Sequence, residues 1–337
     1  MLAIWHWHIE ISSRCTLKCP RCSRQEVPDG LINTELKLDF FIKNFSPEFV
    51  RKHIEKITFC GDDGDPIYSS DLISTVRYFK QIKPELSIMI VTNGSYKKIS
   101  WWQDLAKVLN KHDTVHFSID GWDQESNDIY RVNNDFASIV NGIRTLRQHS
   151  DAYIVWAAIA FKFNEDRIDY MQSLANDLGM DQFQLTKSTK FGSVYQHYGK
   201  QDKLEPSSKY ISSTMRFERD TVNLSSRTQA THTKICEENY NNLIASDNSV
   251  LPLCSVGNKG VFINSRGEFF PCCWTANRYT HNNEWQIISQ DFNLHNTHVT
   301  DVLNNSFWDN QFKSYHWVEC QTKCNSNVVT ADYAQEW

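Results

Sequence analysis

The sequence lacks two features that would place a protein in or across a membrane. It has no apolar run long enough to span a bilayer, and its opening residues, Met1 to Trp7, lack the charged and apolar regions of a secretion signal. It also lacks an excess of basic residues, because the formal net charge is -5. These absences predict a cytoplasmic protein without a membrane partner. They give no net attraction for nucleic acid, although a local basic groove is compatible with an acidic total.

The length and the cysteine content set further bounds. A chain of 337 residues with 40% hydrophobic content can bury a full core and is long for one domain, so we expect one large domain and one small one. Ten cysteines in an exported protein would suggest disulfides. Because this chain has no secretion signal and its cysteines are clustered, they are better explained as metal ligands.

Strand-like and helix-like patterns alternate from residue 8 to about residue 187. This alternation predicts parallel strands joined by crossover helices, and therefore an α/β sheet or barrel. Functional side chains are then expected at the carboxyl ends of the strands. Six strands are predicted, at His8–Ser12, Lys56–Cys60, Ser87–Thr92, Thr114–Ile119, Tyr153–Phe161 and Gln182–Thr186.

The loop after the first predicted strand contains Cys15, Cys19 and Cys22, separated by three and then two residues. Three thiolates at this spacing can hold three irons of a [4Fe–4S] cluster, because thiolate sulfur is the preferred ligand of such clusters. The fourth iron would stay open to a small molecule. The alternatives are a zinc site or three unrelated core cysteines, but zinc knuckles favour two-residue gaps with a second such pair nearby.

A second group of cysteines lies in the C-terminal part. Two short apolar runs flank a polar turn with a glycine and predict a β-hairpin, which would bring Cys254 and Cys272 close together. Cys320 and Cys324 supply two further thiolates near the end of the chain. Four thiolates in two groups can close a cluster or hold structural zinc, and Cys273 could replace Cys272 as a ligand.

The loop Cys15 to Cys22 resembles the C-x3-C-x2-C signature of the radical S-adenosylmethionine (radical SAM) superfamily. The resemblance implies a partial (β/α)6 barrel, a [4Fe–4S] cluster and S-adenosylmethionine as cofactors. In that family the amino and carboxylate groups of S-adenosylmethionine chelate the open iron, and an electron from the cluster cleaves the sulfonium to give a 5′-deoxyadenosyl radical. One position departs from the family, since the residue before the last cysteine is often aromatic and is Arg21 here.

The end of the second predicted strand is similar to the family's G-G-E-P motif, which contacts the amino group of S-adenosylmethionine. Gly64, Asp65 and Pro66 match the motif, with Asp in place of Glu. Glycine lets a ligand approach the backbone, and a carboxylate can accept hydrogen bonds from an ammonium group. Taken alone, Gly-Asp-Pro is only a favourable turn.

The fourth predicted strand ends in a Ser-x-Asp-Gly stretch, which contacts the cofactor in related enzymes. Ser118 and Asp120 have the same parity, so on a strand both side chains would face one side and could meet the ribose hydroxyls or the methionyl carboxylate. The resemblance assigns both residues to cofactor binding, together with Arg131 shortly after them.

The C-terminal part resembles the auxiliary-cluster extensions called SPASM and twitch domains. Cys254, twelve residues, Gly267, four residues and Cys272 match the C-x9-15-G-x4-C opening of these extensions. The full seven-cysteine SPASM pattern is absent, so the resemblance implies the shorter twitch form with one auxiliary [4Fe–4S] cluster. We therefore expect a radical SAM barrel at residues 1–190, a bridging segment at 191–250 and a small cysteine-rich, twitch-like domain at 251–337.

The expected function is that of a radical SAM enzyme that abstracts a hydrogen atom from an unidentified small molecule, peptide or protein, with a reductant such as flavodoxin or ferredoxin. The first strand begins almost at Met1, which leaves no room for a leader-binding domain and weakens the peptide hypothesis. The alternative is a non-catalytic iron–sulfur or zinc-binding protein on a relic barrel. The intact Gly64-Asp65-Pro66 segment argues against this alternative, because a relic does not need cofactor contacts.

Overall fold

A computed structural model describes residues 4–187, 191, 204–209, 212–218, 261–276 and 288–307 of the chain. Within these ranges, no helix is both long enough and apolar enough to cross a membrane.

The described strands form one sheet of nine strands in the order β7-β6-β5-β4-β3-β2-β1-β8-β9. Strands β1 to β6 are parallel and adjacent in chain order, as crossover connections require. The bounds of the nine strands are His6–Ile9, Lys56–Phe59, Ser87–Thr92, Thr114–Ser118, Tyr153–Ala160, Gln182–Lys187, Ser213–Arg216, Val261–Ile263 and Phe269–Phe270.

Helices connect the parallel strands. The ten described α-helices, α1 to α10, are Ser23–Glu26, Leu38–Asn44, Pro47–His53, Leu72–Ile82, Ile99–Ala106, Gln124–Asp128, Phe136–His149, Ile168–Asp177, Cys273–Ala276 and Val299–Asn304, and a short 3-10 helix spans Pro66–Tyr68. Local chemistry fixes several helix ends. The Asp135 side chain accepts a hydrogen bond from the Ser138 backbone at the start of α7, and Gly179 follows α8 with a φ of 81°.

The two faces of the sheet differ in polarity. On the outer face, Ile57, Phe59 and Ile88 are completely buried in the same core cluster as Val76 and Phe79 of α4. Removal of this apolar surface from water is the main force that holds the helices against the sheet.

The opposite, inner face has buried polar side chains. His6 Nε2 lies 2.9 Å from Thr58 Oγ1, and His8 Nε2 lies 2.7 Å from the carbonyl oxygen of Cys60. Burial lowers the pKa of His8 to about 4, so its ring is neutral at pH 7. The neutral His8 ring is therefore one hydrogen-bonding group of the inner face beneath the carboxyl ends of the strands.

The structure confirms the predicted α/β fold and the partial barrel, because β7 and β9 are the edges of the described sheet and do not pair with each other. All six predicted strands are present, but β1 is His6–Ile9 and not His8–Ser12. The predicted bounds of β1 were wrong because Ser12 and Ser13 pair with residues 34–35 instead of continuing alongside β2.

The predicted C-terminal hairpin is also present as β8 and β9. Strand β8 pairs in parallel with β1, so the hairpin extends the main sheet. The predicted domain boundaries at residues 190 and 250 stay a prediction. The hairpin, which belongs to the described part of 251–337, is hydrogen-bonded to β1 of the barrel.

Candidate active site

A cavity of about 340 Å³ opens at the carboxyl ends of the parallel strands. The size is in the range of pockets that bind small molecules. Seven of the residues that the sequence assigned to the cluster or the cofactor line this one cavity: Cys15, Cys19, Cys22, Gly64, Asp65, Ser118 and Arg131. Residues more than 100 positions apart in the chain, such as Cys15 and Arg131, are therefore brought together where the fold predicts a site.

The cysteine loop is fixed by backbone hydrogen bonds. The Lys18 amide donates to the Val132 carbonyl at 2.9 Å, and the Cys22 amide donates to the Cys19 carbonyl at 3.1 Å. Cys22 is the N-cap of α1. These contacts hold the three thiols on one wall of the cavity.

The donor set of this wall fits an iron–sulfur cluster. All three thiols line the same space, and Asn93 Nδ2 donates a weak 3.7 Å hydrogen bond to Cys15 Sγ. Burial, followed by the charge of Asp65, raises the pKa of the Cys15 thiol. A bound metal would therefore be needed to keep Cys15 as the thiolate that iron requires.

The loop after β2 packs closely against the segment between β1 and the cysteines. A Cβ atom added at Gly64 would lie 1.9 Å from the Ser12 carbonyl oxygen, so only glycine fits there. Glu10 Oε1 accepts hydrogen bonds from the Asp63 amide at 2.7 Å and the Gly64 amide at 3.1 Å. The buried Glu10, which sequence analysis missed, thus positions the loop that contains the predicted cofactor residues.

Asp65 lines the cavity and already accepts four hydrogen bonds from the chain. Its Oδ1 accepts from Thr92 Oγ1 at 2.8 Å and the Ile67 amide at 3.1 Å, and its Oδ2 accepts from the Asn93 amide at 2.6 Å and Asn93 Nδ2 at 2.5 Å. Burial raises the pKa of Asp65 to about 6. Asp65 therefore faces the cavity and also fixes the end of β3. The next residue, Pro66, begins the short 3-10 helix.

Ser118 and Arg131 line the cavity, whereas Asp120 does not. Strand β4 ends at Ser118, so strand alternation does not extend to residue 120. The completely buried Asp120 accepts hydrogen bonds from Arg131 Nε and from the Ile159 amide, both at 2.6 Å. Asp120 therefore holds Arg131 at the cavity wall, while direct contact of Asp120 with a cofactor stays a prediction.

The C-terminal hairpin also contributes to the cavity. Cys273 and Trp274 at the start of α9 line it, whereas the half-buried Cys272 is not one of its lining residues. Sequence analysis left Cys273 ambiguous and did not associate Trp274 with the site, because their place depends on the pairing of β8 with β1. The other three predicted auxiliary ligands, Cys254, Cys320 and Cys324, lie outside the described residues.

Residues 9–174 match the family model described as the Radical SAM superfamily. The chain contains a radical SAM superfamily domain. The matched range contains the cysteine loop and all six predicted cofactor residues. The match supports the predicted superfamily and leaves the reaction class open.

Solved radical SAM structures share this fold. SuiB from Streptococcus suis, bound to S-adenosylmethionine, is 15% identical with a TM-score of 0.53, covering 81% of this chain and 61% of SuiB. The structure of anSMEcpe with bound AdoMet is 13% identical with a TM-score of 0.52, covering 94% of this chain and 82% of anSMEcpe. The chain thus spans about three fifths of the length of SuiB. No curated protein matches the sequence of this chain significantly.

Proposed function

We propose that this radical SAM chain binds a [4Fe–4S] cluster through Cys15, Cys19 and Cys22 and cleaves S-adenosylmethionine reductively in the cavity beside them. The main support is that these three thiols share one cavity with Gly64 and Asp65 at the end of β2. A relic barrel would have no need of this convergence, so the catalytic function is favoured over the non-catalytic alternative.

The cluster, when bound, would supply the electron that cleaves the sulfonium, and the resulting 5′-deoxyadenosyl radical would abstract a hydrogen atom from the substrate. The chain's own groups would bind and orient S-adenosylmethionine. Asp65 provides an anionic acceptor, Arg131 provides a cation for a carboxylate, and Ser118 provides a hydroxyl group. Pro66 and Asp120 support this set from behind the cavity wall.

The substrate is proposed to be a peptide or protein. SuiB has been crystallised with the precursor peptide SuiA, and anSMEcpe with AdoMet and the Cp18Cys peptide; their TM-scores to this chain are both 0.52. A small-molecule substrate is the alternative, and the polar side chains of the inner sheet face suit polar groups of either class.

The auxiliary site is proposed to hold a second [4Fe–4S] cluster on Cys254, Cys272, Cys320 and Cys324, with structural zinc as the alternative. Cys273 or Cys272 would complete the four ligands. A flavodoxin or ferredoxin would supply the electrons, and a cytoplasmic location suits both the reductant and oxygen-sensitive clusters.

The test is cleavage of S-adenosylmethionine without substrate. Reconstituted protein reduced with dithionite should slowly form 5′-deoxyadenosine and methionine, because an incompletely closed site lets buffer or protein hydrogens quench the radical. Cys19→Ala should abolish this product, whereas loss of Cys320 and Cys324 should leave part of it. Cleavage that survives Cys19→Ala, or no cleavage by the wild type, would favour the non-catalytic binding protein.

A further inference from the structure

The cavity contains a buried tyrosine to which the proposed function assigns no role. Tyr130 follows α6, is 2% exposed and lines the cavity together with Cys19 and Cys22. Its hydroxyl group forms no hydrogen bond with any residue that the structure describes. Buried polar groups usually have a partner, because burial without one destabilises the fold. The hydroxyl group of Tyr130 is therefore a candidate for contact with what the cavity binds.

The backbone holds the segment of Tyr130 against the cysteine loop. The Lys18 amide donates to the Val132 carbonyl at 2.9 Å, and Asn133 Nδ2 donates to the Thr16 carbonyl at 2.8 Å. Asn133 has a φ of 66°, and a left-handed backbone persists at a non-glycine residue where its surroundings enforce it. These contacts align the chain just after Tyr130 with the middle of the cysteine loop.

The side chain of Tyr130 is also constrained. Its ring centre lies 4.7 Å from that of Phe161 and 5.0 Å from the guanidinium carbon of Arg131. Tyr130 and Cys19 are buried in the same apolar cluster, and Cys22 packs against this cluster. The tyrosine ring is therefore fixed beside two of the three thiols.

The electrostatics place the hydroxyl group close to the same thiols. Burial raises the pKa of the Tyr130 hydroxyl, and the charges of Cys19 and Cys22 raise it further. Charges act in this way only over short distances in a folded protein. The phenol O–H is a hydrogen-bond donor at neutral pH, and it lies within reach of the site of the proposed cluster.

Such a donor would influence the reduction of a cluster. Hydrogen bonds to the sulfurs are one of the factors that set the reduction potential of an iron–sulfur cluster. Reduction adds one negative charge, and hydrogen bonds to more negative acceptors are stronger. A hydroxyl group that donates to a cluster sulfur therefore favours the reduced state.

We propose that the Tyr130 hydroxyl donates a hydrogen bond to a sulfur of the cluster on Cys15, Cys19 and Cys22 and raises the reduction potential of that cluster. No bond of Tyr130 is broken, and the electron still comes from the reductant. The inference rests on the proposed function, because it needs a cluster at the three cysteines. It adds the residue that sets how readily this cluster accepts its electron.

The test is Tyr130→Phe, which removes the hydroxyl group and keeps the ring. The measured quantity is the midpoint potential of the cluster in anaerobically reconstituted protein without S-adenosylmethionine, from a redox titration followed by electron paramagnetic resonance. The signal of this cluster is the one that disappears when Cys15, Cys19 and Cys22 are changed together to Ala. Iron content and the affinity for S-adenosylmethionine are measured on the same samples.

Tyr130→Phe should lower the equilibrium constant for reduction about tenfold, which for one electron is a fall of about 59 mV in the midpoint potential. Iron content and the affinity for S-adenosylmethionine should not change. Incorporation of 3-fluorotyrosine at Tyr130 makes the hydroxyl group more acidic and a stronger donor, so the potential should rise. A role of the ring in packing alone would not produce these opposite shifts.

The matched control is Tyr78→Phe. It removes a hydroxyl group that donates to the Phe45 carbonyl at 2.7 Å, between α4 and the end of α2 and outside the cavity. The midpoint potential of this control should equal that of the wild type.

Equal midpoint potentials in the wild type and Tyr130→Phe would overturn the proposal. An equal fall in Tyr78→Phe would do so too, as would an unchanged potential with weaker binding of S-adenosylmethionine, which would assign the hydroxyl group to that cofactor. If Tyr130→Phe loses iron, the fluorotyrosine protein decides, and an unchanged potential there would overturn the proposal. Failure of the proposed function is distinct, because the wild type would then hold no iron that depends on the three cysteines.

Discussion

Arg131 donates a hydrogen bond of 2.6 Å from Nε to Oδ2 of Asp120, and the two residues have unequal exposure. The Asp120 side chain is completely buried, whereas the Arg131 side chain is 18% exposed and lines the cavity. The buried carboxylate therefore fixes the direction of a guanidinium group that faces the proposed cofactor site. Such a pair is sensitive to loss of one partner, because the remaining charge is left buried and unpaired.

Asp120→Ala should lower the free energy of unfolding by about 3–5 kcal/mol, since it breaks a buried ion pair and also leaves the Ile159 amide without its acceptor. Urea unfolding measures the change. The control is Asp104→Ala, which breaks the exposed surface ion pair of Asp104 with Lys107. It should lower the free energy of unfolding by at most about 1 kcal/mol. Equal losses in the two variants would contradict the assigned role of Asp120.

Gly64→Ala should distort the loop after β2, because the added Cβ would lie 1.9 Å from the Ser12 carbonyl oxygen and 2.5 Å from Ser13 Cα. We expect a loss of stability of about 1–3 kcal/mol or more and a loss of S-adenosylmethionine affinity, measured by urea unfolding and equilibrium dialysis.

Gly30→Ala is the control for this substitution. Its Cβ would meet nothing within 4 Å, and its φ of 77° should cost only about 1 kcal/mol with cofactor affinity unchanged. Normal cofactor affinity in Gly64→Ala would show that the loop does not need this close approach.

Asp65→Ala should retain its iron and bind S-adenosylmethionine more weakly by about 1.5–3 kcal/mol, the range for a hydrogen bond to a charged group. Equilibrium dialysis of the reconstituted protein measures the affinity. Asn93→Ala keeps the carboxylate and the backbone donor but removes the side-chain donor Nδ2. A comparable loss in Asn93→Ala would assign Asp65 to positioning, and unchanged affinity in Asp65→Ala would exclude this residue from the site.

Glu10 should make stability depend on pH. Burial, with the nearby charge of Asp63, raises the pKa of Glu10 from 4.5 to about 7 in the folded protein. The folded state therefore binds this proton more tightly than the unfolded state. The resulting contribution to the free energy of unfolding is complete below about pH 4.5 and is lost as the pH rises through about 7.

The comparison uses Glu10→Gln, which cannot titrate. The difference in unfolding free energy between the wild type and this variant should fall by about 3 kcal/mol between pH 4.5 and pH 8, as measured by urea unfolding. The control Glu48→Gln changes an exposed carboxylate in α3. A difference for Glu10→Gln that stays constant or rises with pH would contradict the effect of burial.

The iron content tests both clusters. Anaerobically reconstituted protein should contain about eight irons per chain, four for each of two [4Fe–4S] clusters. Changing Cys15, Cys19 and Cys22 together to Ala should leave about half, measured by iron and sulfide analysis. Stoichiometric zinc, or full iron in the triple variant, would contradict the ligand assignment.

The sequence by itself determined the parallel α/β core and the main parts of the site. Its alternating patterns placed all six barrel strands, but β1 ends at Ile9 and not at Ser12, because Ser12 pairs with Glu35 across a loop that local pattern cannot show. The cysteine spacing predicted three thiols that the structure places on one cavity. Local signals sufficed because hydrophobic periodicity and ligand spacing are short-range properties of the chain.

Only the tertiary structure decided which side chains face the cavity and which support it. Asp120 lies behind Arg131 because β4 ends at Ser118, and strand parity no longer applies beyond that point. Glu10 and Trp274 join the site because the backbones of β2 and β8 pack beside β1. These relationships depend on long-range strand pairing and on buried hydrogen bonds, which no local pattern in the sequence encodes.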